Sequence, residues 1–130
     1  MKKLLFVASF AAVSAFLFSG CKKDDDGVKS TTHKVQYKVE GSSNVSISGV
    51  TYTNAAGDYD SKSNLTGQTW TSETLTIDSK VVPAIAIACT ESTTDNKDGS
   101  LTVKIIVDGK TVKENTGTGN ILQASTVYAW

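Results

Sequence analysis

From His33 onward the chain alternates. Val35, Tyr37 and Val39 share one face of a two-residue period, and Lys34, Gln36 and Lys38 share the other. That is the pattern of a strand with one side in a core and one in water. Gly41-Ser42-Ser43-Asn44 supplies a turn. A second strand is predicted over Val45 to Thr53, with Val45 and Ile47 on one side. Its parity slips at Ser48-Gly49 before Val50 and Tyr52 resume, which predicts a bulge. Asn54 to Asp58 turns the chain again, and Tyr59 to Gln68 reads as an edge strand or a long loop. Trp70 opens the next run, which ends in Leu75 and Ile77, and Asp78-Ser79-Lys80 closes it.

Val81 to Thr90 contains the only proline, Pro83, whose missing N–H keeps the start of this run out of a central ladder. Beyond it Ile85, Ile87 and Cys89 face one way and Ala84, Ala86 and Ala88 the other. Both sides are apolar, so the pattern predicts a strand covered on both faces. Glu91 to Gly99 is a polar connection. Leu101, Val103, Ile105 and Val107 then line one face up to Asp108-Gly109, and Lys110 to Glu114 returns. Asp-Gly between two alternating runs is a strong hairpin signal, because both turn residues must adopt positive φ. Thr116 to Asn120 reads as a loop, and Ile121 to Trp130 as the last strand. Seven or eight strands at roughly 8–12-residue spacing, with no helical period, predict an all-β antiparallel sandwich over residues 33–130.

The preceding residues have another character. Met1-Lys2-Lys3 is basic, Leu4 to Phe18 is uncharged and mostly apolar, and Ser19-Gly20 is a pair of small residues before Cys21. This is the anatomy of a secretory signal peptide over residues 1–20. Its apolar run is shorter than the roughly 20 residues that span a bilayer. Leu17-Phe18-Ser19-Gly20-Cys21 resembles a bacterial lipobox, with Phe18 where Leu is commoner. The resemblance implies cleavage between Gly20 and Cys21 and lipidation of Cys21, with acyl chains such as palmitate as the membrane anchor. A plain cleaved signal and an uncleaved anchor are the alternatives. Several chains are needed for durable anchoring, since one acyl chain holds only marginally. Residues 21–32, with Lys22-Lys23-Asp24-Asp25-Asp26 and little apolar surface, read as a flexible tether. The acidic run close behind the cysteine also resembles the export signal that sends Bacteroidota lipoproteins to the outer face of the outer membrane.

Charge narrows the partners. The 13 basic residues are all Lys, and there are 13 acids. A chain without a basic face or Arg is not expected to bind nucleic acid. With Cys21 committed to lipid, Cys89 stands alone, so no disulfide framework is expected. Cys89 reads as a small buried apolar residue.

The order of motifs in the folded part resembles the MmpS domain. Val35-Gln36-Tyr37-Lys38-Val39-Glu40-Gly41 is similar to that family's opening Val-x-Tyr-x-Val-x-Gly. Val50-Thr51-Tyr52 is similar to its Ile-x-Tyr, and Trp70-Thr71 to its Pro-Trp-Ser/Thr, with Thr69 in place of the proline. Pro83-Ala84-Ile85, the hairpin Val103 to Lys110, and Gly119 fit further positions. The resemblance implies an immunoglobulin-like fold and a role assisting large envelope exporters. Two features depart from it. A lipid anchor stands where mycobacterial members have a membrane helix. Their cysteine pair is absent, with Val103 at one position and a Ser or Thr near Ser125 at the other.

Candidate chemistry is sparse. Nucleophilic catalysis needs a nucleophile held beside a base, and the only histidine, His33, reads as a solvated residue near the tether. Asp58 with Asp60, and Asp95 with Asp98, fit turns better than a carboxylate pair. Asp95 to Gly99 lacks the ligand spacing of a calcium loop, and zinc spacing is absent. No catalytic residue, cofactor or metal site is therefore expected. The sequence points to a non-enzymatic lipid-anchored module serving an envelope partner. The alternative is a surface module for a glycan or other extracellular ligand, with Trp70, Tyr37, Tyr52 and Tyr128 as a stacking platform.

Overall fold

The structure is a computed structural model and describes residues 31–130. The leader, Gly20, Cys21 and the tether up to residue 30 lie outside the described residues. The described part contains nine strands: β1 (Thr32–Gly41), β2 (Val50–Thr53), β3 (Tyr59–Lys62), β4 (Thr69–Thr71), β5 (Leu75–Asp78), β6 (Ala84–Ser92), β7 (Gly99–Val107), β8 (Lys110–Gly119) and β9 (Ile121–Ala129). They form two antiparallel sheets. In the first, β1 pairs with β7 and β7 with β8, while β4 and β5 share the other edge of β1. The second runs β3-β2-β6-β9. This is the all-β antiparallel sandwich expected of the sequence, with nine strands where seven or eight were expected.

The alternation puts the predicted residues inside. Val35, Tyr37, Val39, Leu101, Val103 and Ile105 of the first sheet are fully buried against Tyr52, Ile85, Ile87, Leu122 and Ala124 of the second. Each large side chain so buried contributes roughly 1.5–3 kcal/mol. Tyr37 also ties the sheets together. Its hydroxyl donates to the Thr53 carbonyl oxygen at 2.7 Å, and its ring lies 5.1 Å from that of Tyr52. Trp70 continues the ladder, 5.6 Å from Tyr52. The turn Asp108-Gly109 has φ of 51° and 81°, the double positive φ that a two-residue hairpin demands.

Four expectations are corrected. The second strand does not run from Val45: that residue makes only an isolated bridge to Thr93, and the ladder starts at Val50. The break falls at the parity slip because a side chain takes over there. The Ser48 and Gly49 N–H groups donate to Glu91 Oε1 at 2.6 and 3.1 Å, and the Ser48 hydroxyl donates to the same carboxylate at 3.0 Å. The run from Trp70 to Ile77 divides into β4 and β5, since Ser72 replaces a rung. Its hydroxyl accepts the Tyr37 N–H at 2.9 Å and donates to the Glu73 carbonyl. The loop expected from Thr116 shrinks to a turn after Gly119, because β8 continues and crosses close to β9. A Cβ at Gly117 would fall 2.3 Å from the Gln123 carbonyl oxygen, so glycine alone permits the crossing. Finally, β6 is covered on one face only: Ala84 and Ala88 are exposed and Ala86 is half-buried.

Candidate interaction surface

The chemistry-bearing side chains are spent on the fold. His33 is not simply solvated. Its Nδ1–H donates to Asp108 Oδ2 at 2.9 Å, and its ring stacks on Trp130 with centroids 4.4 Å apart. Asp108 also accepts the Lys34 N–H at 2.9 Å. These contacts, the His33 bond first, hold its carboxyl below the usual carboxylate range. The group pins the Asp108-Gly109 hairpin to the start of β1 and brings no nucleophile to the imidazole. Trp130 is fixed in turn by its indole N–H, which donates to the Val82 carbonyl at 2.7 Å.

The carboxylate pairs behave as turn formers. Asp60 accepts from the Asn54 amide at 3.0 Å, and Asp58 stays exposed at the neighbouring turn. Asp95 Oδ1 accepts from the Asn44 amide at 2.9 Å and from the Lys97 N–H at 3.0 Å. These bonds, that of Asn44 first, hold its carboxyl below the usual carboxylate range. The Asn44 amide also reaches the carbonyl oxygens of Lys97 and Asp98, so an amide nitrogen occupies the centre of this oxygen cluster. Among the described residues no three His, Cys, Asp or Glu side chains converge as metal ligands would. Cys89 is buried, and its thiol donates to the Gly49 carbonyl at 3.2 Å. Burial, and then the nearby Glu91 charge, push the thiol up to about 12, which removes the thiolate at neutral pH. Glu91 is a functional-looking carboxylate that the sequence did not flag. It is buried and fully engaged with Ser48 and Gly49.

The four aromatic residues considered for a stacking platform do not share an exposed surface. Tyr37 and Tyr52 are core, Trp70 packs on them, and Tyr128 meets Trp130 edge-on at another end of the sandwich.

What remains is a face. On the outer side of the second sheet the strand register sets Tyr59 opposite Thr53, and Ala86 opposite Val127. The next row along holds Ser61, Thr51, Ala88 and Ser125. Ala84 and Ala129 lie on the other side of the Ala86 row, and Thr90 with Gln123 beyond Ala88. None of these outward side chains is charged. Tyr59 is 70% exposed at one border and Val127 59% at the other, with small residues between them. A hollow of about 290 Å³ opens there, lined by Gly49, Thr51, Ser61, Ala88 and Thr90 together with the charged Lys62. The outer face of the first sheet is the reverse. Lys38, Glu40, Lys104 and Glu114 run across it in a chain of ion pairs 3.1–3.9 Å long.

The fold defines a two-sheet antiparallel sandwich with one neutral outer face. No protein-family model matches the chain, and no curated protein does so. Solved structures give two likenesses. A DUF4425 family protein from Bacteroides ovatus ATCC 8483 is 15% identical over 77% of this chain and 95% of its own, with a TM-score of 0.45. The calcium-bound form of a protein from Parabacteroides distasonis is 16% identical over 78% of this chain and 95% of its own, with a TM-score of 0.43. At those identities and scores no functional reading passes from either protein to this one.

Proposed function

We propose that this chain is a non-enzymatic lipoprotein of the outer membrane, anchored through Cys21 and exposed at the cell surface, whose sandwich serves as a binding or accessory module within the envelope. One observation carries the reading. His33, Asp60, Asp95, Cys89 and Glu91 are committed to a turn, a rung or the core, while the outward residues of β2, β6 and β9 carry no charge. An outer face with so little charge supports a binding role for the sandwich. The lipobox-like Ser19-Gly20-Cys21 supports the anchor, and the acidic run behind it supports the outer leaflet. The MmpS-like order of motifs supports a transport component as the class of partner.

The experiment is metabolic labelling with a clickable palmitate, combined with protease shaving of intact cells. The wild-type chain is expected to take up label and be shaved. The Cys21→Ala chain is expected to lose the label and leave the membrane fraction while its sandwich stays folded. Label retained in Cys21→Ala, or absent from the wild type, overturns the anchor.

A further inference from the structure

We propose that the end of the sandwich at which the chain enters rests on the membrane surface, with Val81 and Val127 against the apolar edge of the headgroup layer. This contact presupposes that Cys21 is the lipid anchor. Thr31 and Thr32 lie at this end, beside the turn that follows β5. The Ser79 N–H donates to the Thr31 carbonyl at 2.7 Å, and Thr32 is the register partner of Asp78. Thr31 stands ten positions after Cys21, a reach of no more than about 36 Å even fully extended. The anchor therefore keeps this end nearest to the bilayer.

The same end gathers exposed apolar side chains. Val81 is 65% exposed, Val127 59% and Tyr59 70%, and all three are here. Val81 sits in the turn beside Thr31 and donates its N–H to the Asp78 carbonyl at 3.0 Å. Val127 is opposite Ala86, and the row beyond pairs the exposed Ala84 and Ala129. Tyr59 follows the turn at Gly57, where a Cβ would meet Val82 at 3.5 Å. The remaining exposed large hydrophobic residue, Ile121, is opposite Ser92 at the far end of the same ladder. Two amphipathic rings complete the border. Tyr128 and Trp130 are half-buried and meet edge to face, and such rings favour the layer where one side is apolar and the other wet.

Charge does not drive the contact. Lys34, Lys80 and Lys110 at this end are matched by Asp58, Asp60, Asp78 and Asp108. Without an excess of lysine there is no pull toward anionic lipid, so the apolar side chains carry the contact. A few exposed side chains would hold a free domain to a bilayer only weakly. The anchor makes the contact intramolecular, and a weak affinity then suffices.

The test uses the full lipidated chain in phosphatidylcholine vesicles. Val81→Cys and Ile121→Cys each supply one accessible thiol, since Cys21 is taken by lipid and Cys89 is buried. Both are labelled with the same nitrobenzoxadiazole fluorophore. The label at position 81 is expected to emit further to the blue than that at 121. It should also resist aqueous iodide several-fold better and be quenched by a nitroxide-bearing lipid. Adding Val127→Asp to Val81→Cys should return the label toward water, because the new charge resists leaving water. Equal iodide quenching at the two positions in chains that float with the vesicles, or a label at 81 indifferent to Val127→Asp, overturns the contact and leaves the anchor standing. Chains that do not float with the vesicles overturn the anchor, and the contact with it.

Discussion

The two sheets bury similar inner faces and present opposite outer ones. On the first sheet the outward row of β1 reads Lys34, Gln36, Lys38, Glu40, and Lys104 of β7 joins Glu40 to Glu114. On the second the outward row of β6 reads Ala84, Ala86, Ala88, Thr90. Packing does not dictate this difference, because either kind of residue fits a solvated pleat. Solubility would favour charge on both. A sheet whose outward rows on β2, β6 and β9 carry no charge gives up that protection. The single acid of β6 sharpens the contrast. Glu91 turns inward and is consumed by the Ser48 and Gly49 N–H groups.

The comparison is broken most severely at what the sheets share. Tyr37 fills the space between them and holds Thr53 across it. Tyr37→Ala is expected to cost about 3–5 kcal/mol, from lost burial and the cavity left behind. It also orphans the Thr53 carbonyl. The urea midpoint should fall with little change in slope, and both faces should be lost in one transition. The next largest effect belongs to the second sheet alone. Glu91→Ala removes the acceptor for two backbone N–H groups and should cost about 2–3 kcal/mol. Glu91→Gln keeps one acceptor oxygen and should recover part of that. If the two variants were equally unstable, the carboxylate would not be what replaces the ladder at Ser48-Gly49.

Most of the strands were legible because their signals are local. The alternation of Val35, Tyr37 and Val39 survives any tertiary arrangement, and the Asp108-Gly109 turn needs only its own two residues. The misread places depend on partners far along the chain. Nothing near Ser48 announces that Glu91 will satisfy it, 43 residues away. Nothing near Ser72 announces that its hydroxyl will replace a rung for Tyr37, 35 residues away. His33 is separated from Asp108 by 75 residues and from Trp130 by nearly the whole domain. The neutral face was misread for a different reason. Ala84, Ala86 and Ala88 are apolar enough to be buried and small enough to be tolerated in water, so periodicity alone could not decide their side. The candidate surface was therefore visible as a set of residues and invisible as an exposed one.

Acid separates the faces more gently. The Glu40 carboxyl is held below its usual range by bonds from Lys104 and then Lys38. A carboxylate with a lowered folded-state value contributes stability above its unfolded value and loses it as pH falls through the folded one. The contribution should be complete near neutrality and decline from about pH 5 downward. The Glu40 side chain is 35% exposed, enough for solvent screening to keep the effect under about 1 kcal/mol. Urea midpoints measured down this range for wild type and Glu40→Gln should converge in acid. A gap that persisted there would assign the stability to packing rather than charge.

The smallest effect tests the contrast most directly. Ala88→Lys gives the neutral face a charge at an exposed position, and a substitution of that kind usually shifts stability by no more than about 0.5 kcal/mol. Lys104→Ala, on the other sheet, removes the solvent-screened ion pairs of a half-buried lysine to Glu40 and Glu114, worth about a similar amount. Thermal melts of the two variants should therefore both lie close to wild type. If Ala88→Lys were instead strongly destabilising, Ala88 would be supporting the fold, and the absence of charge on this face would follow from packing. Melts equal to wild type for both variants would show that folding stability does not decide which outer face is charged.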